Sequence, residues 1–229
     1  MLNRLVLALD NSLDFLNIAL AREHVLLEER HIKPHQPPSQ IIPREVLNIL
    51  ISHGYGVDDL SLIITTLGPG SFTGIRVGLA FCKGLASGKS IPLIGVPTLD
   101  VLVSSFSFLR GYFLCPLLDA KKGEVFAALY RVSHENIEQI SDYQALKPAE
   151  VARMLKTPCL CFGSGVKMLS LIHISEPTRL LSISYAVFCL KKKNNKLIHK
   201  SGNKREKSKT QQLQQDYPRD SYKLYNNNN

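Results

Sequence analysis

The sequence lacks any apolar run long enough to cross a membrane. A membrane-spanning helix needs about 20 predominantly apolar residues, whereas even the stretch Leu180–Leu190 is interrupted by two serines. The apolar run Leu5–Leu9 is also shorter than the roughly 7–15 residues of a signal-peptide core. These absences predict a cytoplasmic protein that is not secreted and has no membrane partner.

A cysteine or histidine pattern typical of a metal site is also missing. The five cysteines form an odd set whose only close pair, Cys159 and Cys161, has no second Cys or His pair beside it. His31 and His35 have a spacing of four, but Pro34 disfavours the continuous helix that would place both rings on one side. We predict buried reduced thiols and no metal, and the alternative is a metal held by the two histidines.

Positive charge is concentrated at one end of the chain. The formal net charge is +9, yet residues 1–170 hold 16 Lys and Arg against 15 Asp and Glu. Residues 171–229 therefore hold 12 against 4. A strongly basic protein usually has a polyanionic partner, but the body of this chain is nearly neutral.

Two similar successions of apolar runs indicate an α/β fold with an internal duplication. In the first, three antiparallel strands precede a helix, and a buried strand, a helix, a strand and a last helix follow. We predict these elements at Arg4–Asp10, Phe15–Ala21, Val25–Glu29, Ser39–Ser52, Leu62–Leu67, Thr73–Gly88, Ile91–Val96 and Thr98–Phe108.

The second succession repeats the first and stops early. Three strands, a helix and a strand are predicted at Phe113–Asp119, Glu124–Val132, Ile137–Ala145, Ala149–Lys156 and Cys159–Phe162. Ala19 lies nine residues after Asp10, and Ala128 lies nine residues after Asp119. We divide the chain into a first subdomain at residues 1–109, a truncated second subdomain at 110–168 and a tail at 169–229.

A glycine-rich segment joins the buried strand of the first half to its second helix. It reads Gly-Pro-Gly-Ser-Phe-Thr-Gly-Ile-Arg-Val-Gly, starting at Gly68. A turn built on Gly68, Gly70, Ser71 and Thr73 can direct backbone N–H groups towards an anion. Alternatively, Ser71 or Thr73 caps the helix, and the glycines allow another helix to approach closely.

This segment and its surroundings resemble one family closely. The string from Gly68 to Ala80, continued by Lys-Gly-Leu-Ala, Ile-Pro-Leu-Ile-Gly-Val and Thr-Leu, is similar to the bacterial TsaB family of tRNA threonylcarbamoyladenosine biosynthesis proteins. Leu-Ala-Leu-Asp-Asn-Ser, ending at Ser12, and Leu-Leu-Asp-Ala-Lys-Lys-Gly-Glu-Val-Phe, ending at Phe126, add to it. The resemblance covers about residues 4–168. Asn11 departs from the threonine that is commonest at its position.

The resemblance implies the actin-like fold of sugar kinases and heat-shock chaperones, a duplicated βββαβα unit whose second half is truncated here. It also implies membership of the complex that makes threonylcarbamoyladenosine in tRNA next to the anticodon. This chain would be a non-catalytic scaffold that binds and stabilises the catalytic subunit TsaD. The ATPase subunit TsaE would be a further partner, tRNA would be reached only indirectly, and a homodimer is an alternative assembly.

One short segment distinguishes the scaffold from the enzyme. The related catalytic subunit carries a metal-binding His-Leu-Glu-Gly-His element, whereas this chain reads Thr-Leu-Asp-Val-Leu from Thr98 to Leu102. Neither Thr98 nor Leu102 can replace an imidazole on a transition metal. The resemblance therefore implies no catalytic residue and no metal here. The alternatives are an actin-like ATPase or kinase and a glycoprotease-like metallopeptidase.

The resemblance also implies a partner interface on the first two helices of the chain. Gly74, Gly78 and Cys82 are spaced by four and would form a stripe of small residues on which a partner helix can pack. Arg76, on the same helix, would pair with a carboxylate of the partner subunit. Contact of Arg76 with a phosphate or with tRNA is the alternative.

Asp10, Ser12 and Asp119 form a candidate phosphate site. The two aspartates stand where actin-like ATPases have phosphate-loop aspartates, so they could hold a magnesium nucleotide. Equally, they could cap backbone N–H groups of local turns. We expect that this chain requires no cofactor of its own, and that ATP or ADP, if bound, lies at a subunit interface.

The family resemblance ends near Met168. The following string, from Leu171 to Lys193, resembles the conceptual translation of a sequencing adapter, and the Asn and Lys runs beyond it would come from A-rich DNA. Residues 191–229 contain very few apolar residues, so burial cannot offset the entropy of ordering them. We predict a non-native, disordered tail, and the alternative is a basic arm that binds tRNA phosphates.

Overall fold

The computed structural model describes residues 4–134, 136–156, 158–173, 186–193 and 196–198. The elements of the first half are β1 (Leu5–Asp10), β2 (Leu16–Arg22), β3 (Val25–Ile32), α1 (Pro38–Ser52), β4 (Leu60–Thr66), α2 (Phe72–Lys89), β5 (Leu93–Val96) and α3 (Thr98–Ser104). The strands form one sheet in the order β3-β2-β1-β4-β5. The first three pair antiparallel, and β4 and β5 continue the sheet in parallel. The predicted order of the first half is therefore confirmed.

Helices α1 and α2 cover one face of this first sheet. Successive side chains of a strand point to opposite faces, and alternate residues such as Leu7 and Ile18 are accordingly buried. Ile42 and Ile49 lie seven residues apart on α1, so both point to the sheet. Together they form one apolar core between the sheet and the two helices.

The second half repeats the strand order of the first. Its elements are β6 (Phe113–Lys121), β7 (Glu124–Ala127), β8 (Tyr130–Val132), β9 (Ile137–Gln139), β10 (Gln144–Leu146), α4 (Pro148–Met154), β11 (Cys159–Gly163), α5 (Val166–His173), β12 (Ala186–Lys193) and β13 (Lys196–Ile198). The order β10-β7-β6-β11-β12 corresponds strand for strand to that of the first sheet, and β8 and β9 form an extra hairpin beside β6.

Two predicted strands of the second half are each divided in two. The strand predicted at Glu124–Val132 is interrupted at Leu129, whose N–H donates to Ser141 Oγ and whose carbonyl accepts from the N–H of Ile140. The ladder with β6 is interrupted between Ala127 and Tyr130, although β7 and β8 pair with β6 in the same register. The strand predicted at Ile137–Ala145 likewise becomes β9 and β10.

The chain after residue 168 differs from the expectation in part. The predicted boundary falls inside α5, and the segment Ala186–Lys193 pairs antiparallel with β11 and with β13. The apolar run Ala-Val-Phe-Cys-Leu that begins β12 suits a strand beside another strand. Residues 174–185, 194–195 and 199–229, for which a tail without structure was predicted, lie outside the described residues.

Helix α3 follows the first sheet in sequence but packs on the second. Leu99 and Val103 are buried together with Leu118 of β6 and Phe162 of β11. Helices α4 and α5 contact the other face of this sheet, where Cys115 and its neighbours form a separate core. The second sheet is thus covered on both faces. No helix among the described residues is long and apolar enough to span a membrane.

Candidate functional site

Asp10 ends β1 and anchors the surrounding turns. Its carboxylate accepts hydrogen bonds from the Ser12 N–H at 2.9 Å, Ser12 Oγ at 2.5 Å, Thr66 Oγ1 at 2.8 Å and Asn17 Nδ2 at 3.0 Å. Four donors satisfy most of the acceptor capacity of a carboxylate. Ser12 is itself fully buried. Asp10 therefore has the geometry of the turn-capping role, one of the two roles proposed from the sequence.

His31 belongs to the same hydrogen-bonded group. Its Nδ1 contacts Asn17 Oδ1, and its ring stacks on Phe15 with the ring centroids 4.1 Å apart. Among the described residues, no group of three or more His, Cys, Asp and Glu side chains is arranged to hold a metal ion. His31 is thus held at the Asp10 site by Asn17 and Phe15.

The glycine-rich turn lies directly against the turn after β1. The Ser71 N–H donates to the Ser12 carbonyl at 2.7 Å, and the peptide bond between Gly68 and Pro69 is cis. A Cβ added to Gly70 would lie 2.1 Å from the Ser12 carbonyl oxygen. Only glycine fits there, because the two backbones are in direct contact.

Ser71 begins α2 as its cap. Its Oγ accepts a hydrogen bond from the Gly74 N–H at 3.2 Å, which satisfies one of the free N–H groups at the start of a helix. Thr73 lies exposed in the first turn of the helix. Of the two caps considered from the sequence, Ser71 is the one used.

The small-residue stripe of α2 faces the protein's own sheet. A Cβ added to Gly74 would lie 2.1 Å from the Asn11 carbonyl oxygen, and Asn11 Nδ2 donates to the Gly74 carbonyl at 3.0 Å. Gly78 and Cys82 are also buried. Burial raises the pKa of the Cys82 thiol to about 11. The predicted contact of Gly74, Gly78 and Cys82 with a partner is corrected, because these residues let α2 itself approach β1.

Arg76 is the predicted interface residue that lies on the outer side of α2. Its guanidinium carbon lies 3.6 Å from the centroid of the Phe72 ring, and Phe72 is 66% exposed. On α1, Leu47 and Ile51 are 48% and 69% exposed. Between the helices lies a groove of ≈ 330 Å³ lined by Ser39, Ile42, Pro43, Val77, Ala80 and Phe81. We refer to these residues, other than the buried Ile42 at the bottom of the groove, as the outer helix face.

Asp119 has a more open environment than Asp10. Among the described residues, its carboxylate accepts hydrogen bonds from Lys121 alone, from the N–H at 2.7 Å and from Nζ at 3.2 Å, and its side chain is 36% exposed. The hydrogen bond from the Lys121 backbone holds the pKa of Asp119 below its ordinary value. The Asp119 N–H donates to Ser164 Oγ at 3.2 Å. This turn copies the Asp10 site without its buried donors.

The start of α3 contains no imidazole. Thr98 is buried and its N–H donates to the Gly68 carbonyl at 2.8 Å, but within the described part of the chain Thr98 Oγ1 has no hydrogen-bond partner. Leu102 packs against the apolar core of the second half. Between them, Asp100 accepts hydrogen bonds from Tyr130 and Tyr143. Sequence reasoning missed these three residues, because spacings of 30 and 43 residues carry no recognisable signal.

The two sheets have the same strand order. In each sheet a glycine-rich turn follows the strand that runs parallel to the first strand, β4 in one half and β11 in the other. This arrangement defines an actin-like α/β protein. A crystal structure described as an uncharacterized Pseudomonas aeruginosa protein with similarity to peptidase YEAZ has a TM-score of 0.58 and 25% identity, covering 63% of this chain and 67% of its own. The structure of YeaZ from Pseudomonas aeruginosa has a TM-score of 0.58 and 23% identity, covering 68% and 70%.

The sequence comparisons define the family. The family model described as TsaD, tRNA N6-adenosine threonylcarbamoyltransferase, matches residues 33–214, which extends past the boundary predicted near residue 168. The tRNA threonylcarbamoyladenosine biosynthesis protein TsaB of Bacillus subtilis is 32% identical over 71% of this chain and 72% of that relative. The Escherichia coli protein of the same name is 29% identical over 64% of this chain and 63% of that relative. The chain belongs to the TsaB family.

Proposed function

We propose that this chain is a non-catalytic subunit of the machinery that makes threonylcarbamoyladenosine in tRNA. The names of its relatives supply the pathway, and the start of α3 supports the non-catalytic role. Where the catalytic relatives have two histidines, this chain has a buried hydroxyl at Thr98 and an apolar side chain at Leu102. Neither side chain can bind a transition metal as an imidazole does. Such a subunit acts in the cytoplasm together with its partners.

The outer helix face is the proposed binding surface for the catalytic subunit TsaD. Ile51 and Leu47 lie four residues apart and so share one side of α1. At the start of α2, Phe72 and Arg76 form an exposed stacked pair. Aromatic and arginine side chains are enriched at protein interfaces, and the groove between the helices can accept a partner side chain. Binding there would stabilise the catalytic subunit, which TsaE and tRNA would join.

A binding experiment tests this surface. Ile51→Arg and Ala80→Arg place a charge on the outer helix face without touching the core. We expect each change to weaken capture of the catalytic subunit at least about tenfold, because an unpaired charge is desolvated at the interface. Ile94→Arg is the matched control, since Ile94 is 49% exposed on β5, away from both helices. Folded variants at Ile51 and Ala80 that bind as tightly as the parent would place the interface elsewhere.

An ATP hydrolysis assay tests the non-catalytic role separately. The Asp10 carboxylate is already occupied by Ser12, Asn17 and Thr66, so we expect the isolated chain to show no turnover. ATP or ADP would then act only where subunits meet. Adding either nucleotide should change the affinity between the subunits and leave the isolated chain unaffected. Robust hydrolysis by the isolated chain would favour the alternative of an actin-like ATPase or kinase.

A further inference from the structure

Asp100 joins the two halves of the chain. It lies in the first turn of α3 and accepts a hydrogen bond from Tyr130 Oη at 2.6 Å. Tyr143 Oη contacts the same oxygen at 2.8 Å and the second oxygen at 3.0 Å. Tyr130 belongs to β8, and Tyr143 precedes β10. Side chains from both halves therefore meet at a single carboxylate.

The two tyrosines differ in their access to solvent. Tyr130 is 2% exposed, whereas Tyr143 is 42% exposed. Burial, followed by the hydrogen bond to Asp100, raises the pKa of both hydroxyls. Both remain protonated donors across the neutral range, and a bond from a hydroxyl to a carboxylate is stronger than one between neutral groups. Tyr130 forms the enclosed contact, and Tyr143 forms the contact that solvent can reach.

Helix α3 is attached to both halves around Asp100. Its first residue, Thr98, donates its N–H to the Gly68 carbonyl of the first half at 2.8 Å. Leu99 and Val103, on the same helix, are buried in the core of the second half. A change of the angle between the halves must therefore move α3 relative to one of them. The Asp100 hydrogen bonds oppose movement of α3 relative to the second half, because they join α3 to β8 and to the segment before β10.

We propose that Asp100, Tyr130 and Tyr143 form a clasp that fixes the angle between the two halves, with Tyr143 as the member that opens. Release of Tyr143 exposes one carboxylate oxygen to water and leaves the Tyr130 contact in place. The clasp occupies the segment in which catalytic relatives have their metal-binding element, so this segment has a positioning role here. The inference stands independently of the proposed binding surface on α1 and α2.

A distance measurement between the halves tests the clasp in the full chain. Spin labels are attached at Ser87→Cys on α2 and Arg153→Cys on α4, both exposed, with Cys189→Ser in the same background. Cys82, Cys115, Cys159 and Cys161 are buried and should not react in the native state. We expect a single narrow distance distribution for the parent chain, a wider one for Tyr143→Phe, and the widest for Asp100→Asn.

Tyr55→Phe is the matched control. The Tyr55 hydroxyl accepts a hydrogen bond from Arg22 at 3.2 Å within the first half, so its loss should leave the distribution unchanged. Amide exchange at residues 129–132 should accelerate about tenfold in Tyr143→Phe, as expected for losing a hydrogen bond to a charged group. Folded variants at Asp100 and Tyr143 with the parent's distribution would overturn the proposal. If Asp100→Asn does not fold, Tyr143→Phe decides alone, because it removes only an exposed hydroxyl.

Discussion

The two halves share a strand order but differ in how they are completed. In the first, β5 runs parallel to β4, as a strand–helix–strand unit requires. In the second, β12 runs antiparallel to β11. The covering of the sheets differs as well, because α3 crosses to the second sheet, while Ile94 on the first remains 49% exposed. Strand order thus follows from short-range pattern, whereas the covering of each face depends on where the connecting helices pack.

Each half contains a glycine that lies in direct contact with another backbone segment. Gly74 lies against Asn11 in the first half, and Gly163 lies against Leu117 in the second, where an added Cβ would be 2.1 Å and 2.4 Å from a carbonyl oxygen. Gly163 also has a φ of +105°. Both halves therefore require a glycine for contact between backbones.

Removing these glycines should have the largest effect on stability. We expect Gly74→Ala and Gly163→Ala each to lower the free energy of unfolding by about 3 kcal/mol, because the methyl group forces packed backbones apart. Gly84→Ala is the control on α2, since no atom of the described residues lies within 4 Å of its added Cβ, and it should stabilise by about 0.5–1 kcal/mol. Urea unfolding measures all three. A Gly74→Ala protein as stable as the parent would show that α2 can shift away from β1 without cost.

Exchanging the end of the chain should have the next largest effect. Replacing residues 174–229 with the corresponding segment of the Bacillus subtilis relative should restore a parallel strand after α5 and raise Tm by roughly 5 °C, or about 2 kcal/mol. Thermal unfolding followed by circular dichroism measures the change. An equal Tm would mean that β12 and β13 already stabilise the second half as much as a parallel strand would. The two halves would then differ in strand direction but not in stability.

Neutralising the two corresponding aspartates should have unequal and smaller effects. Asp10→Asn should cost about 1.5 kcal/mol, because the amide NH₂ cannot accept from the donors around Asp10. Asp119→Asn should cost less than about 0.5 kcal/mol, since its partner Lys121 is exposed. Urea unfolding of both variants at neutral pH measures this difference.

The contribution of Asp119 to the free energy of unfolding should also depend on pH. The pKa of Asp119 is lowered in the folded state, so its contribution is present above the ordinary carboxyl pKa and is lost as the pH falls through the lowered value. Asp119→Asn should remove that small acid dependence, which urea unfolding between neutral pH and about pH 3 would show. Equal losses from both aspartates at neutral pH would mean that the buried donors add little at Asp10.

Sequence patterns predicted most elements of the fold but not the direction in which α2 faces. The spacing of Gly74, Gly78 and Cys82 identified a stripe for close packing, but α2 carries apolar or small residues on more than one side. Periodicity alone could not show whether this stripe faces the sheet or a partner. The division between β7 and β8 was missed for a similar reason, because Leu129 continues an apolar run while its backbone bonds to Ser141.

The sequence by itself determined the family, the duplicated strand order, the glycine turn and the absence of histidines at Thr98 and Leu102, because these depend on residue identity and local spacing. Only the tertiary structure decided that the small-residue stripe is buried, that Asp10 is surrounded by donors, and that Asp100 meets Tyr130 and Tyr143. These contacts join residues far apart in the chain, and the packing of the two sheets around α3 brings them together.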